Sequence, residues 1–158
     1  MDLTPYRHVE RRTITASPDA LYAVISDPSR MGELSPVCTG GEWVEPGSVF
    51  LGHNAIGEFT WTTRNRVEVA EPGVEFTWLN TGPDGDVELV RWGYTFTPVD
   101  GGTDVAESWE ILPDYLGFVR AGKPDATDDD VKARLDGMAT MARDGMAQTL
   151  TKLAGAAG

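Results

Sequence analysis

DDDVKARLDGMATMARDGMAQTLTKL, residues 128–153, carries the longest regular pattern in the chain. Val131, Leu135, Met138, Ala142, Met146, Leu150 and Leu153 recur at three- and four-residue steps, which draws one apolar stripe along a helix. Thr127 can cap its start, and the aspartates that follow suit the positive end of the helix dipole. At ~1.5 Å per residue such a helix is roughly 38 Å long. That is enough to lie across a whole sheet.

The sheet lies upstream. Between Glu42 and Leu112, turn signals recur at Glu45-Pro46-Gly47, Glu71-Pro72-Gly73, Gly82-Pro83-Asp84-Gly85 and Asp100-Gly101-Gly102. The segments between them are rich in aromatic and β-branched residues and predict an antiparallel meander with strands near 41–45, 48–55, 58–70, 74–81, 86–98 and 103–112. The glycine-rich Thr39-Gly40-Gly41 and Gly101-Gly102-Thr103 read as turns between strands. Before the meander, an extended run from His8 to Thr15 reaches Ser17-Pro18, a helix start that carries Leu21, Tyr22 and Ile25 inward and ends near Asp27-Pro28. A second short helical piece around Ser29 to Leu34 stops at Ser35-Pro36.

Strand parity then assigns an inner face. It collects Phe59, Trp61, Thr63, Asn65, Val67 and Val69 from one strand and Val74, Phe76, Trp78 and Asn80 from the next. Val90, Trp92, Tyr94 and Phe96 follow, and in VAESWEI, 105–111, so do Val105, Glu107, Trp109 and Ile111. In 48–55, Phe50, Gly52 and Asn54 are preferred over Val49, Leu51 and His53. Four of five tryptophans thus share the inner face with Thr63, Asn65, Tyr94 and Glu107. Tightly filled cores favour aliphatic side chains, whereas large aromatics with a few polar tips suit the wall of a ligand cavity. The competing reading is a packed aromatic core with a small self-satisfied polar cluster.

Length and composition fit one domain over residues 1–158. The formal charge of −12 opposes a phosphate backbone or an anionic membrane, so nucleic acid is not an expected partner. No apolar run approaches the ~20 residues that span a bilayer, so no stable membrane insertion is expected. A lone cysteine, Cys38, and the lack of a signal-like opening make a cytoplasmic location the default expectation.

At this point the order of elements resembles the START-like, or SRPBCC, superfamily, and especially its polyketide cyclase/dehydrase-like branch. The residues that carry the resemblance are ITASPDALYAVISDPSRMGELSP (14–36), GSVFLGHN (47–54), FTWTT (59–63), RWGYTF (91–96), GGTDVAESW (101–109) and GMAQTLTKL (145–153). The resemblance implies an α+β helix-grip fold, in which a curved antiparallel sheet wraps a long C-terminal helix and a hydrophobic or amphipathic ligand sits between them. It implies no single reaction and no universal catalytic motif, since one fold hosts many functions.

Glu107 is the sharpest candidate for chemistry. Unpaired in an apolar pocket, it would stay protonated and could serve as a general acid or base; paired with an arginine, or accepting hydrogen bonds from Asn65 or Tyr94, it would be structural. His8 and His53 have no metal-ligand spacing, Cys38 has no visible activating partner, and no cofactor or metal is expected. The connection 113–126 carries Tyr115, Leu116, Phe118 and Val119 without a place in the sheet; a lid over the pocket, packing against the helix start and a homodimer contact are its alternative uses. The expected ligand site is Asn54, Phe59, Trp61, Thr63, Asn65, Phe76, Trp78, Trp92, Tyr94 and Trp109, holding an aromatic or lipid-like molecule. Two functions compete: a carrier or sensor without chemistry, and a cyclase or dehydratase using Glu107.

Overall fold

The computed structural model describes residues 1–157. Strand β1 (Arg7–Ile14) leads to helix α1 (Pro18–Ile25), where the Ser17 side chain accepts a hydrogen bond from the Ala20 amide and Pro18 occupies the first turn. A 3₁₀ turn, Pro28–Glu33, follows, opened by Asp27, whose carboxylate accepts from the Ser29 amide. Six strands then form the meander: β2 (Cys38–Glu45), β3 (Val49–Ile56), β4 (Phe59–Glu71), β5 (Glu75–Thr81), β6 (Glu88–Val99) and β7 (Gly102–Ile111). Helices α2 (Asp114–Gly122) and α3 (Asp128–Ala156) complete the chain. The α3 start is a reciprocal cap: the Thr127 hydroxyl accepts from the Asp130 amide, and the Asp130 carboxylate accepts from the Thr127 amide.

All seven strands join one antiparallel sheet in the order β1-β7-β6-β5-β4-β3-β2. The first strand closes onto the last, so the meander and the N-terminal run share one inner face. The expected α+β helix grip is the observed architecture.

Three local expectations change. Thr39, Gly40 and Gly41 lie inside β2 and not in a turn. A Cβ on Gly41 would stand 2.5 Å from the Leu51 carbonyl oxygen and 3.0 Å from that of Pro28, so glycine there lets the strand and the 3₁₀ turn approach. A bulge between Val67 and Val69 moves Val69 opposite Thr77, on the outer face, and Val74 before β5 is 47% exposed. The connection after β7 holds α2, which packs against α3: the Arg134 Nε donates to the Tyr115 hydroxyl, and Arg120 pairs with Asp128. None of its residues reaches the cavity described below, so it is not a lid.

Two apolar cores sit at opposite ends of α3. One joins Leu150 and Leu153 to Ile14, Leu21, Val24, Phe96 and Val105; the other joins Val131, Leu135 and Ala139 to Tyr6, Leu89, Ile111 and Tyr115. Between these anchor points the helix presents Met138, Met141, Ala142, Gly145, Met146 and Thr149 to a space that the sheet does not fill.

Candidate functional site

Register explains how the cavity wall is built. Trp78 on β5, Trp92 on β6 and Trp109 on β7 are successive cross-strand partners, so three indoles stand side by side. The next row pairs Phe76 with Tyr94, Tyr94 with Glu107, and Glu107 with Glu10. On the other flank, Asn54 opposes Trp61, Gly52 opposes Thr63, and Asn65 opposes Asn80. With the middle of α3 and the segment Ser35–Cys38, these rows enclose about 240 Å³.

Of the ten residues expected to bind ligand, eight line this cavity: Asn54, Trp61, Thr63, Asn65, Trp78, Trp92, Tyr94 and Trp109. Two do not. Phe59 is 68% exposed at the start of β4, and its ring lies against Trp61 at 5.3 Å. Phe76 is buried, but its ring meets Tyr22 of α1 edge-on at 6.0 Å, which makes it core beneath that helix. Cys38 and Met141 were not anticipated in the wall; β2 begins earlier than its sequence suggests, and the helical stripe does not separate wall from core. The Cys38 thiol donates to the Gly40 carbonyl, and burial pushes its pKa up.

Most of the polar groups in the wall are already engaged. The Asn65 amide donates to the Phe50 carbonyl at 3.4 Å and to the Thr63 hydroxyl at 3.3 Å, and its oxygen accepts from the Asn80 side chain. Asn54 donates to the carbonyls of Gly52 and Trp61. Such a network fixes the strands of the wall.

Glu107 differs. It is 2% exposed, and Tyr94 donates to its Oε1 at 2.7 Å. Its Oε2 is, among the described residues, the one buried side-chain polar atom without a partner. No arginine, lysine or histidine lines the cavity. Burial therefore dominates and lifts the carboxyl to a pKa of about 8; the Tyr94 hydrogen bond pulls it down and the nearby Glu10 pushes it up. The Tyr94 hydroxyl is itself held well above the usual range, by burial first and then by Glu107. At neutral pH the geometry fits a carboxylic acid whose Oε1 accepts from Tyr94 and whose Oε2 carries a proton with nothing to receive it.

Neither histidine joins the site. His53 contacts Glu42 at 2.6 Å and Thr62 at 3.1 Å on the solvent side, and His8 meets Glu10 at 2.7 Å. Among the described residues no group of three or more His, Cys, Asp or Glu side chains could hold a metal ion, and no helix is long and apolar enough to cross a membrane.

Comparison with known proteins agrees with this fold. The Polyketide_cyc-like protein Cgl2372 from Corynebacterium glutamicum is 33% identical, with 94% of this chain and 88% of that one aligned at a TM-score of 0.66. Protein NE0264 from Nitrosomonas europaea shares the fold at 10% identity, with 99% and 96% of the two chains covered and a TM-score of 0.69. The di-domain ARO/CYC StfQ from the steffimycin biosynthetic pathway aligns over 96% of this chain and 50% of its own, at 14% identity and a TM-score of 0.63. No curated protein sequence matches the chain. A family model described as polyketide cyclase / dehydrase and lipid transport matches residues 7–157, and the chain belongs to that family.

Proposed function

We propose that this protein binds a small hydrophobic molecule between its sheet and α3, as a carrier or sensor. The observation that carries the reading is the wall itself: four tryptophans, Tyr94 and four methionines of the helix and 3₁₀ turn surround a cavity with one acid that keeps an unpartnered oxygen. Aromatic faces supply contact area at low entropic cost, and methionines adapt to irregular shapes. The Asn54, Thr63, Asn65 and Asn80 cluster is largely spent on the fold, whereas Glu107 keeps a buried oxygen free for a polar contact with the ligand. Mass spectrometry of small molecules retained by the purified protein from a cell extract tests this; an unchanged compound recovered at stoichiometric amount is the expected result.

One observation favours a second reading, a dehydrating cyclase. Tyr94 donates to Glu107 Oε1, as the structural reading of this residue expects, but a protonated Oε2 can give its proton to the departing hydroxyl of a β-hydroxy carbonyl compound, and the resulting carboxylate can take the α-proton, releasing water and restoring the acid. A product lighter by one water with wild type, absent with Glu107→Gln, would establish chemistry. Recovery of the same unchanged ligand with both proteins would leave binding alone.

A further inference from the structure

The volume, the charge and the buried, unpartnered carboxyl oxygen of Glu107 together narrow the ligand, given the binding function proposed above. Volume comes first. About 240 Å³ falls under the ~300–1,000 Å³ of drug-sized sites, which favours a compact ligand over a diacyl lipid. Charge comes next: with no cation in the wall, a bound carboxylate or phosphate would be desolvated without a partner, beside Glu107 and in a chain of formal charge −12. The walls that set its shape are aromatic: the indole row, and Trp78 with Tyr94, whose rings lie 18° from parallel at 6.0 Å. Finally, the Oε2 of Glu107 is fully buried and lacks a partner, while the side-chain amides of Asn54, Asn65 and Asn80 each donate within the wall.

We propose that the cavity takes an uncharged, planar, one- or two-ring aromatic carbonyl compound whose oxygen accepts a hydrogen bond from the Glu107 carboxyl. The titratable groups facing that carboxyl are Tyr94 on β6, Glu10 with its partner His8 on β1, and Cys38 on β2; α3 contributes none to the cavity wall. The donor is therefore present below the Glu107 pKa of about 8 and lost above it.

Quenching of tryptophan fluorescence reads the site directly, because Trp61, Trp78, Trp92 and Trp109 line it. Four probes separate the determinants: 2-acetylnaphthalene, 2-ethylnaphthalene, naphthalene-2-carboxylate and palmitate. At pH 6.5–7 the acetyl compound should bind about tenfold tighter than the ethyl compound, the worth of one net hydrogen bond, and both anions should bind at least a hundredfold more weakly. Glu107→Leu should erase the acetyl preference. Glu107→Gln, which keeps a donor at every pH, should retain that preference above pH 9, where wild type loses it. Equal binding of acetyl and ethyl compounds, or tight binding of either anion, overturns the ligand class while leaving hydrophobic binding intact. An acetyl preference that survives in Glu107→Leu, or in wild type above pH 9, overturns the role of Glu107. If no probe binds at all, the binding function itself fails.

Discussion

Tyr94 and Glu107 face each other across β6 and β7, both buried, and the tyrosine hydroxyl donates to Glu107 Oε1 at 2.7 Å. This contact is the one protein hydrogen bond that the carboxyl receives, and it opposes the effect of burial. Tyr94→Phe should therefore raise the Glu107 pKa further above 8. Carbon-detected NMR titration of the Glu107 carboxyl measures the shift directly. The variant also leaves the acid with no partner, so a loss of about 1–3 kcal/mol in urea unfolding is expected.

The same carboxyl makes stability depend on pH with an unusual sign for an acid. Its pKa is about 8 when folded, against 4.5 for an ordinary glutamate in water, so between those values the folded chain holds a proton that the unfolded chain has released. Stability from this group is full below pH 4.5 and is lost progressively as pH rises from there through 8, by on the order of 4–5 kcal/mol. Asp128, Asp130 and Asp136, whose pKa values are lowered by Arg120, Thr127 and Lys132 respectively, act in the opposite direction at acid pH. Urea unfolding at pH 5.5, 7 and 9 should show wild type weakening towards pH 9 while Glu107→Gln stays level.

Parity along β5, β6 and β7 was enough to place Trp78, Trp92, Tyr94, Glu107 and Trp109 on one face, because each strand alternates without interruption through the site. It fails where geometry departs from alternation. The bulge at Val67–Val69 turns Val69 outward, and no turn residue marks it in the sequence. Inner-face residues also have more than one neighbour to meet: Phe76 points the same way as Trp78 but lies under α1, and Phe59 stands exposed at the start of β4. Whether the space between sheet and helix is filled depends on how far the two end cores hold α3 away, a distance that no local pattern encodes.

Gly41 tests whether the narrow approach of β2 to the 3₁₀ turn needs a residue without a side chain. Its Cβ would meet two backbone oxygens at 2.5 and 3.0 Å, and neither can rotate away. Gly41→Ala should cost about 1–3 kcal/mol through forced backbone shifts, in keeping with other overpacked sites. The reverse case is the helix cap: Thr127→Ala removes a side-chain acceptor without any clash and should cost about 1 kcal/mol. Chemical denaturation measures both.

Two glycines inside α3 separate the needs of the helix from those of the cavity. Gly137 has open space around a notional Cβ, and at Gly145 the nearest atom is the Pro36 Cγ at 3.6 Å, an ordinary contact. Alanine should therefore stabilise the ligand-free protein at either position, by about 0.5–1 kcal/mol from helix propensity. Their effects on binding should differ, because Gly145 lines the cavity beside Pro36 and Gly137 does not. Thermal unfolding without ligand and fluorescence titration with 2-acetylnaphthalene distinguish them: both variants gain stability, and only Gly145→Ala loses affinity. Equal affinity in the two variants would mean that the ligand lies deeper, against the tryptophan row, and leaves the helix side of the cavity empty.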